Sequence, residues 1–126
     1  LASDLPPIHA DPIELQQVIL NLLVNAVDAV RAEAPEHRRI RLRTGHCDEP
    51  GHVTLHVIDW GPGLTDEARQ RMFDPFFSTK EDGMGIGLSF SKNIVEQFGG
   101  DLWARDGDRR GTQFCLSLPA SNLVVS

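Results

Sequence analysis

The sequence predicts an α/β domain, and three observations carry that prediction. Asp11 to Val30 (DPIELQQVILNLLVNAVDAV) has the length and periodicity of a helix, two pairs of short alternating segments read as strands, and a second helical pattern follows Gly83. With 126 residues and 40% hydrophobic content the chain can bury one core, so a single domain over 1–126 is expected.

The first helix is written most plainly. Asp11 suits the cap, Pro12 the first helical position, and Glu14 completes a capping box with Asp11. Ile13, Val18, Leu20, Leu22, Val24 and Val27 surround the helix axis, which predicts burial on nearly every side. At about 100° per residue, Glu14, Gln17, Asn21, Asn25 and Asp28 share an arc of roughly 80°. Buried polar groups cost a few kcal/mol each without partners, so this stripe has two readings. It is a solvent-facing edge bonded to neighbouring backbone, or Asn21 and Asn25 aim amide oxygens at a hard cation or phosphate-bound water, as magnesium sites prefer.

Ahead of the helix, Pro7 to His9 could add a short edge strand, and the abrupt start at Leu1 reads as a cut fragment. Pro35 ends the helical pattern. Arg39 to Thr44 then alternates, the turn-like Asp48-Glu49-Pro50-Gly51 follows, and His52 to Ile58 sets Val53, Leu55 and Val57 on one face. These segments predict a hairpin. His52 and His56 share its other face about 13 Å apart, too far to hold one ion, and are expected to be solvated.

Asp59-Trp60-Gly61-Pro62-Gly63-Leu64 leaves that strand through a bend, and Thr65-Asp66-Glu67 caps a short helix ending near Met72. The DxGxG pattern is either a plain turn or a carboxylate set to accept a base amino group, with glycines admitting the ligand to the backbone. Phe73-Asp74-Pro75-Phe76-Phe77-Ser78-Thr79-Lys80 suits a hinged lid or a loop pinned by its aromatics, and Lys80 could reach a phosphate. Gly83-Met84-Gly85-Ile86-Gly87-Leu88 opens a helix with Leu88, Ser91, Val95 and Phe98 at helical spacing, which Gly99-Gly100 stops. Glycines at a helix N-terminus attract anions, although GxGxG matches neither the Rossmann nor the P-loop spacing. Asp101 to Arg105 and Gly111 to Leu118 complete the strands, with Thr112, Phe114, Leu116 and Leu118 on one face.

A net charge of −6 argues against a nucleic-acid surface, and the absence of a Lys/Arg run argues against an anionic membrane. Asn and Asp break the apolar stretches, so a soluble intracellular domain is expected. Cys47 and Cys115 lack CxxC partners and read as ordinary thiols, and His46 beside Cys47 falls short of a zinc ligand set.

The order of these pieces resembles the ATP-binding domain of sensor histidine kinases, of the GHKL or Bergerat-fold superfamily, over about residues 8–119. The matching residues are Asn21 and Asn25 in NLLVNA, Asp59, Gly61 and Gly63 in DWGPGL, Phe73 to Lys80, Gly83, Gly85 and Gly87 in GMGIGL, and Gly111-Thr112. The resemblance implies a two-layer α/β sandwich: a mixed sheet of about five strands, three main helices on one face, and an ATP lid. It implies that Asp59 accepts the adenine amino group and Thr112 helps hold the base through water. It further implies that Asn21 and Asn25 face Mg²⁺ and the phosphates, and that Gly83 to Gly87, with Met84, Ile86 and Leu88, wrap the triphosphate. Gly61, Gly63, Leu64, Phe73 and Phe76 would border the nucleotide and Lys80 would touch its terminal phosphates.

Related ATPases of the gyrase, MutL and heat-shock chaperone branches carry a water-activating glutamate four residues before the NA asparagine. Here that position is Asn21, and an amide cannot take the proton. The resemblance therefore implies phosphoryl transfer to a protein side chain rather than hydrolysis. None of His9, His37, His46, His52 or His56 is followed by Asp or Glu, so the acceptor histidine is expected on an upstream dimerisation domain, with a response regulator reached through it. Two rivals stand beside this reading: an anti-sigma-type serine kinase, and a non-catalytic nucleotide-sensing module. Asp28 stands where many such kinases carry a basic or aromatic residue, and its role is open at this point.

Overall fold

The computed structural model describes residues 12–46, 51–74, 86–107 and 110–119. Its elements run α1 (Pro12–Val30), a 3-10 turn (Pro35–His37), β1 (Ile40–His46), β2 (His52–Asp59), α2 (Asp66–Arg71), α3 (Ile86–Gln97), β3 (Asp101–Asp106) and β4 (Thr112–Pro119). The hairpins β1-β2 and β3-β4 join through β2 and β4 into one antiparallel sheet of order β1-β2-β4-β3. Helices α1 and α3 lie on one face of it, which is the two-layer α/β sandwich the sequence implies.

Register decides what the core contains. Val57 pairs with Phe114, Leu55 with Leu116 and Val53 with Leu118, and these rows meet Val18, Leu22 and Ala26 of α1 and Ile94 and Val95 of α3. Alternation along β2 and β4 thus puts the predicted apolar rows against the helices. The helix ends also follow the sequence: Thr65 Oγ1 accepts from the Ala68 N–H at the start of α2. Gly99, at φ +81°, closes α3, with the Gly100 N–H donating to the Val95 carbonyl.

Three expectations change. All four strands among the described residues pair antiparallel, within both hairpins and across the β2–β4 seam; a mixed sheet of five needs a strand from elsewhere, and Pro7–His9 lies outside the described residues. Helix α1 is buried along one face only, since a two-layer fold offers it one sheet: Val18 and Leu22 are 0% exposed, whereas Ile13 is 78% and Leu20 53% exposed. By length and composition Ile13–Val30 would pass as a membrane span, the one such stretch among the described residues, yet its inner face packs into the core. Finally, His56 is half-buried on the face away from the helices and bonds Gln113 rather than standing in water.

Candidate functional site

Two groups of predicted residues come together along α1. The first lies where β2 ends. Asp59, its last residue, is 2% exposed, and its Oδ1 accepts from the Gly61 N–H at 2.9 Å and the Thr112 N–H at 3.4 Å. The β2–β4 register brings this about, because pairing Ile58 with Gln113 sets Thr112, buried at the start of β4, beside the end of β2. Burial pushes the Asp59 carboxyl above its ordinary 3.8, against the pull of the two N–H donors.

Glycine is required at two places here. A Cβ on Gly61 would sit 2.7 Å from the Ala29 carbonyl oxygen, so the DWGPG loop lies directly against the last turn of α1. Gly111 combines φ +83° with a backbone approach that would leave a Cβ 2.0 Å from the Asp59 carbonyl oxygen.

The second group lies further toward the start of α1. Asn21 Nδ2 donates to Ser91 Oγ at 3.1 Å, and Ser91 is fully buried on α3. The half-buried Asn25 follows one turn later on the same stripe. Asp28 forms an ion pair with Arg31 at 3.1 Å, which balances the acid that was unexplained from sequence. With a 1.5 Å rise per residue, Asn21 and Asn25 precede Ala29 by about 12 and 6 Å, so one helix spans both groups.

Leu64, Phe73 and Leu88 are partly buried and pack on the core, and Lys92 Nζ stands 4.9 Å from the centre of the Phe73 ring. Gly63 takes φ +90°, and Ile86 and Gly87 open α3. Phe76, Lys80, Gly83, Met84 and Gly85 lie outside the described residues. Sequence reasoning missed two contributors. Ser91 enters the sequence reading only as one of four positions at helical spacing, and its hydroxyl in that otherwise apolar row is the signal. Arg110, whose guanidinium Nε donates to the Gly61 carbonyl at 3.0 Å, had none, being one of two arginines in a charged turn.

Chemically, the first group offers a buried carboxylate beside two buried glycines, and the second offers two side-chain amides one turn apart on α1. A family model described as histidine kinase-, DNA gyrase B- and HSP90-like ATPase matches residues 10–122. Sensor histidine kinase ZraS of Klebsiella oxytoca is 43% identical over 114 residues, which cover 90% of this chain and 24% of that protein. Sensor protein FixL of Bradyrhizobium diazoefficiens is 36% identical over 90% of this chain and 22% of its own length. The chain thus spans between 12% and 24% of the length of the curated relatives it matches. Among solved structures, full-length ShkA in complex with AMPPNP superposes with a TM-score of 0.78 at 32% identity, covering 98% of this chain and 25% of that one. The catalytic domain of histidine kinase ThkA gives 0.75 at 28% identity over 91% of this chain and 72% of that one. The chain therefore belongs to the histidine kinase-, DNA gyrase B- and HSP90-like ATPase family, as an ATP-binding domain of the sensor histidine kinase kind.

Proposed function

We propose that this domain binds Mg-ATP beside α1 and donates the γ-phosphoryl group to a histidine on a dimerisation domain of the same protein. The observation that carries the base assignment is the buried Asp59, both of whose backbone bonds end on Oδ1. Oδ2 is then the oxygen with capacity for the adenine amino group, and Thr112 holds the base through water. Gly61, Gly63, Leu64, Phe73 and Phe76 border the nucleotide. Gly83, Met84, Gly85, Ile86, Gly87 and Leu88 wrap the triphosphate, with Lys80 on its terminal phosphates.

The donor set at Asn21 and Asn25 suits Mg²⁺, because amide oxygens are hard ligands and the Asn21 nitrogen is turned to Ser91, which points Oδ1 the other way. Magnesium bound there neutralises charge on the phosphates. Asn21 and Asn25 orient the triphosphate for attack, and with an amide at position 21 no carboxylate there deprotonates water. Neutral imidazole needs little base help, so a histidine acceptor fits this chemistry. The similarity to ZraS and FixL favours it over a serine kinase. A cytoplasmic position, and a response regulator reached through the dimerisation domain, complete the proposal.

The test is calorimetry with an ATP analogue, with and without Mg²⁺. Binding strengthened by Mg²⁺ is expected, and Asp59→Asn should weaken it at least about tenfold, because an amide presents a donor to the base amino group. Unchanged affinity in that variant would remove the base assignment. For Asn25→Ala the Mg²⁺ enhancement should shrink; an enhancement equal to the parent's would remove the ligand role.

A further inference from the structure

Arg110 lies outside the motif residues matched to the family, yet it contacts one of them. Its Nε donates to the Gly61 carbonyl at 3.0 Å, its Nη1 meets His37 Nδ1 at 2.8 Å, and its Nη2 forms an ion pair with Glu33. Three segments far apart in sequence meet on one guanidinium: the DWGPG loop, the connection after α1, and the turn that delivers Gly111 and Thr112.

Each end of this clamp is itself fixed. On one side the Gly107 N–H donates to the Gly111 carbonyl at 3.0 Å, which closes the β3–β4 turn and sets the direction from which Arg110 leaves the backbone. On the other, Arg38 Nε donates to the Glu33 carbonyl at 2.8 Å and the His37 N–H to the Ala34 carbonyl, winding residues 33–38 so that Glu33 and His37 face the arginine. Guanidinium carries donors only, so in this contact it is His37 Nδ1 that accepts. Between the clamped ends sits Gly61, whose N–H holds Asp59 Oδ1 and whose Cα has no room to move toward Ala29.

We propose that Arg110 is a positioning residue for the base-binding end of the site: by fixing the Gly61 peptide it fixes the Asp59 carboxylate against the purine amino group. A planar fork with donors in three directions is needed, which an ammonium does not supply. This rests on the assignment of Asp59 to the base.

The experiment compares ATP, ITP and inorganic tripolyphosphate binding to the 126-residue chain, its Arg110→Lys and Glu33→Ala variants, and Asp59→Asn. ITP replaces the amino group with a carbonyl, so the ATP-to-ITP affinity ratio reads the Asp59 contact, and tripolyphosphate reads the phosphate end alone. Arg110→Lys should lower ATP affinity about tenfold and collapse the ratio while tripolyphosphate binding is unchanged. Glu33→Ala, which removes one prong at the half-buried connection, should move the same way by a smaller factor, and it serves if the lysine variant does not fold. If both variants keep the parent's ratio and lose only thermal stability, the positioning role is overturned and Arg110 is a structural brace. If Asp59→Asn also keeps the ratio, or the parent shows none, the base assignment fails and takes this proposal with it.

Discussion

Two titratable side chains, one buried and one half-buried, pull the stability of the domain in opposite directions with pH. Asp59 has its carboxyl raised by burial above 3.8, so the folded state favours its protonated form. A raised value stabilises fully below the unfolded value and loses that contribution as pH rises through the folded one, so ligand-free Asp59 strains the fold at neutral pH. Asp59→Asn should therefore melt at the parent's temperature or above it near pH 7, and the parent should gain on the variant as pH falls toward 3.8. Thermal melts of both proteins across that range check the sign. His56 is held below 6.5 by burial first, then by Arg43 and Arg105, and Gln113, whose Oε1 takes Arg105 Nε, turns its amide nitrogen to His56 Nδ1. Its lowered value stabilises above 6.5 and is lost on acidification, so His56→Gln should flatten the fall in melting temperature below that pH. A fall of the same slope in the variant would assign the acid sensitivity elsewhere. Of this pair, Asp59 was legible in the sequence because DxGxG is a local pattern. His56 was not, because its partners arrive from three other strands through register.

At the scale of elements, α1 is the part the sequence described best and also misjudged. Its limits and its polar stripe were readable from spacing alone. How much of it is covered was not, since apolar periodicity does not reveal whether a helix meets one layer or two. The contact that locks it, Asn21 to Ser91, joins residues 70 apart in the chain. Ser91→Ala should cost about 1 kcal/mol and lower the melting temperature by about 4 °C, because the buried hydrogen bond from Asn21 to Ser91 is lost. Leu22→Ala, at a position with no exposure and packed in the main core, should cost about 3 kcal/mol by urea denaturation. The two changes separate what α1 owes to its stripe from what it owes to its buried face. Only the first should also weaken the Mg²⁺-dependent part of nucleotide binding, since it removes one hydrogen bond that orients the Asn21 amide.

For the molecule as a whole, the sandwich sets the groups proposed to bind nucleotide along α1 and leaves His37, His52 and His56 elsewhere. His37 is held through Nδ1 by Arg110, and His52 and His56 occupy strand positions that alternate with the core-facing Val53 and Val57. Sequence could show that no histidine precedes an acid, and the fold adds that none of these three is presented beside Asn21 and Asn25. A chain that binds ATP in this arrangement should therefore retain no label from γ-labelled ATP after denaturation, although it saturates with nucleotide under the same conditions. Supplying the proposed dimerisation domain should restore labelling on that domain. The bond formed should be lost in acid and survive in base, as a phosphoramidate does and a phosphoserine does not. Label retained on the isolated chain would place an acceptor within these 126 residues, and an acid-stable product would move the domain to the serine-kinase reading.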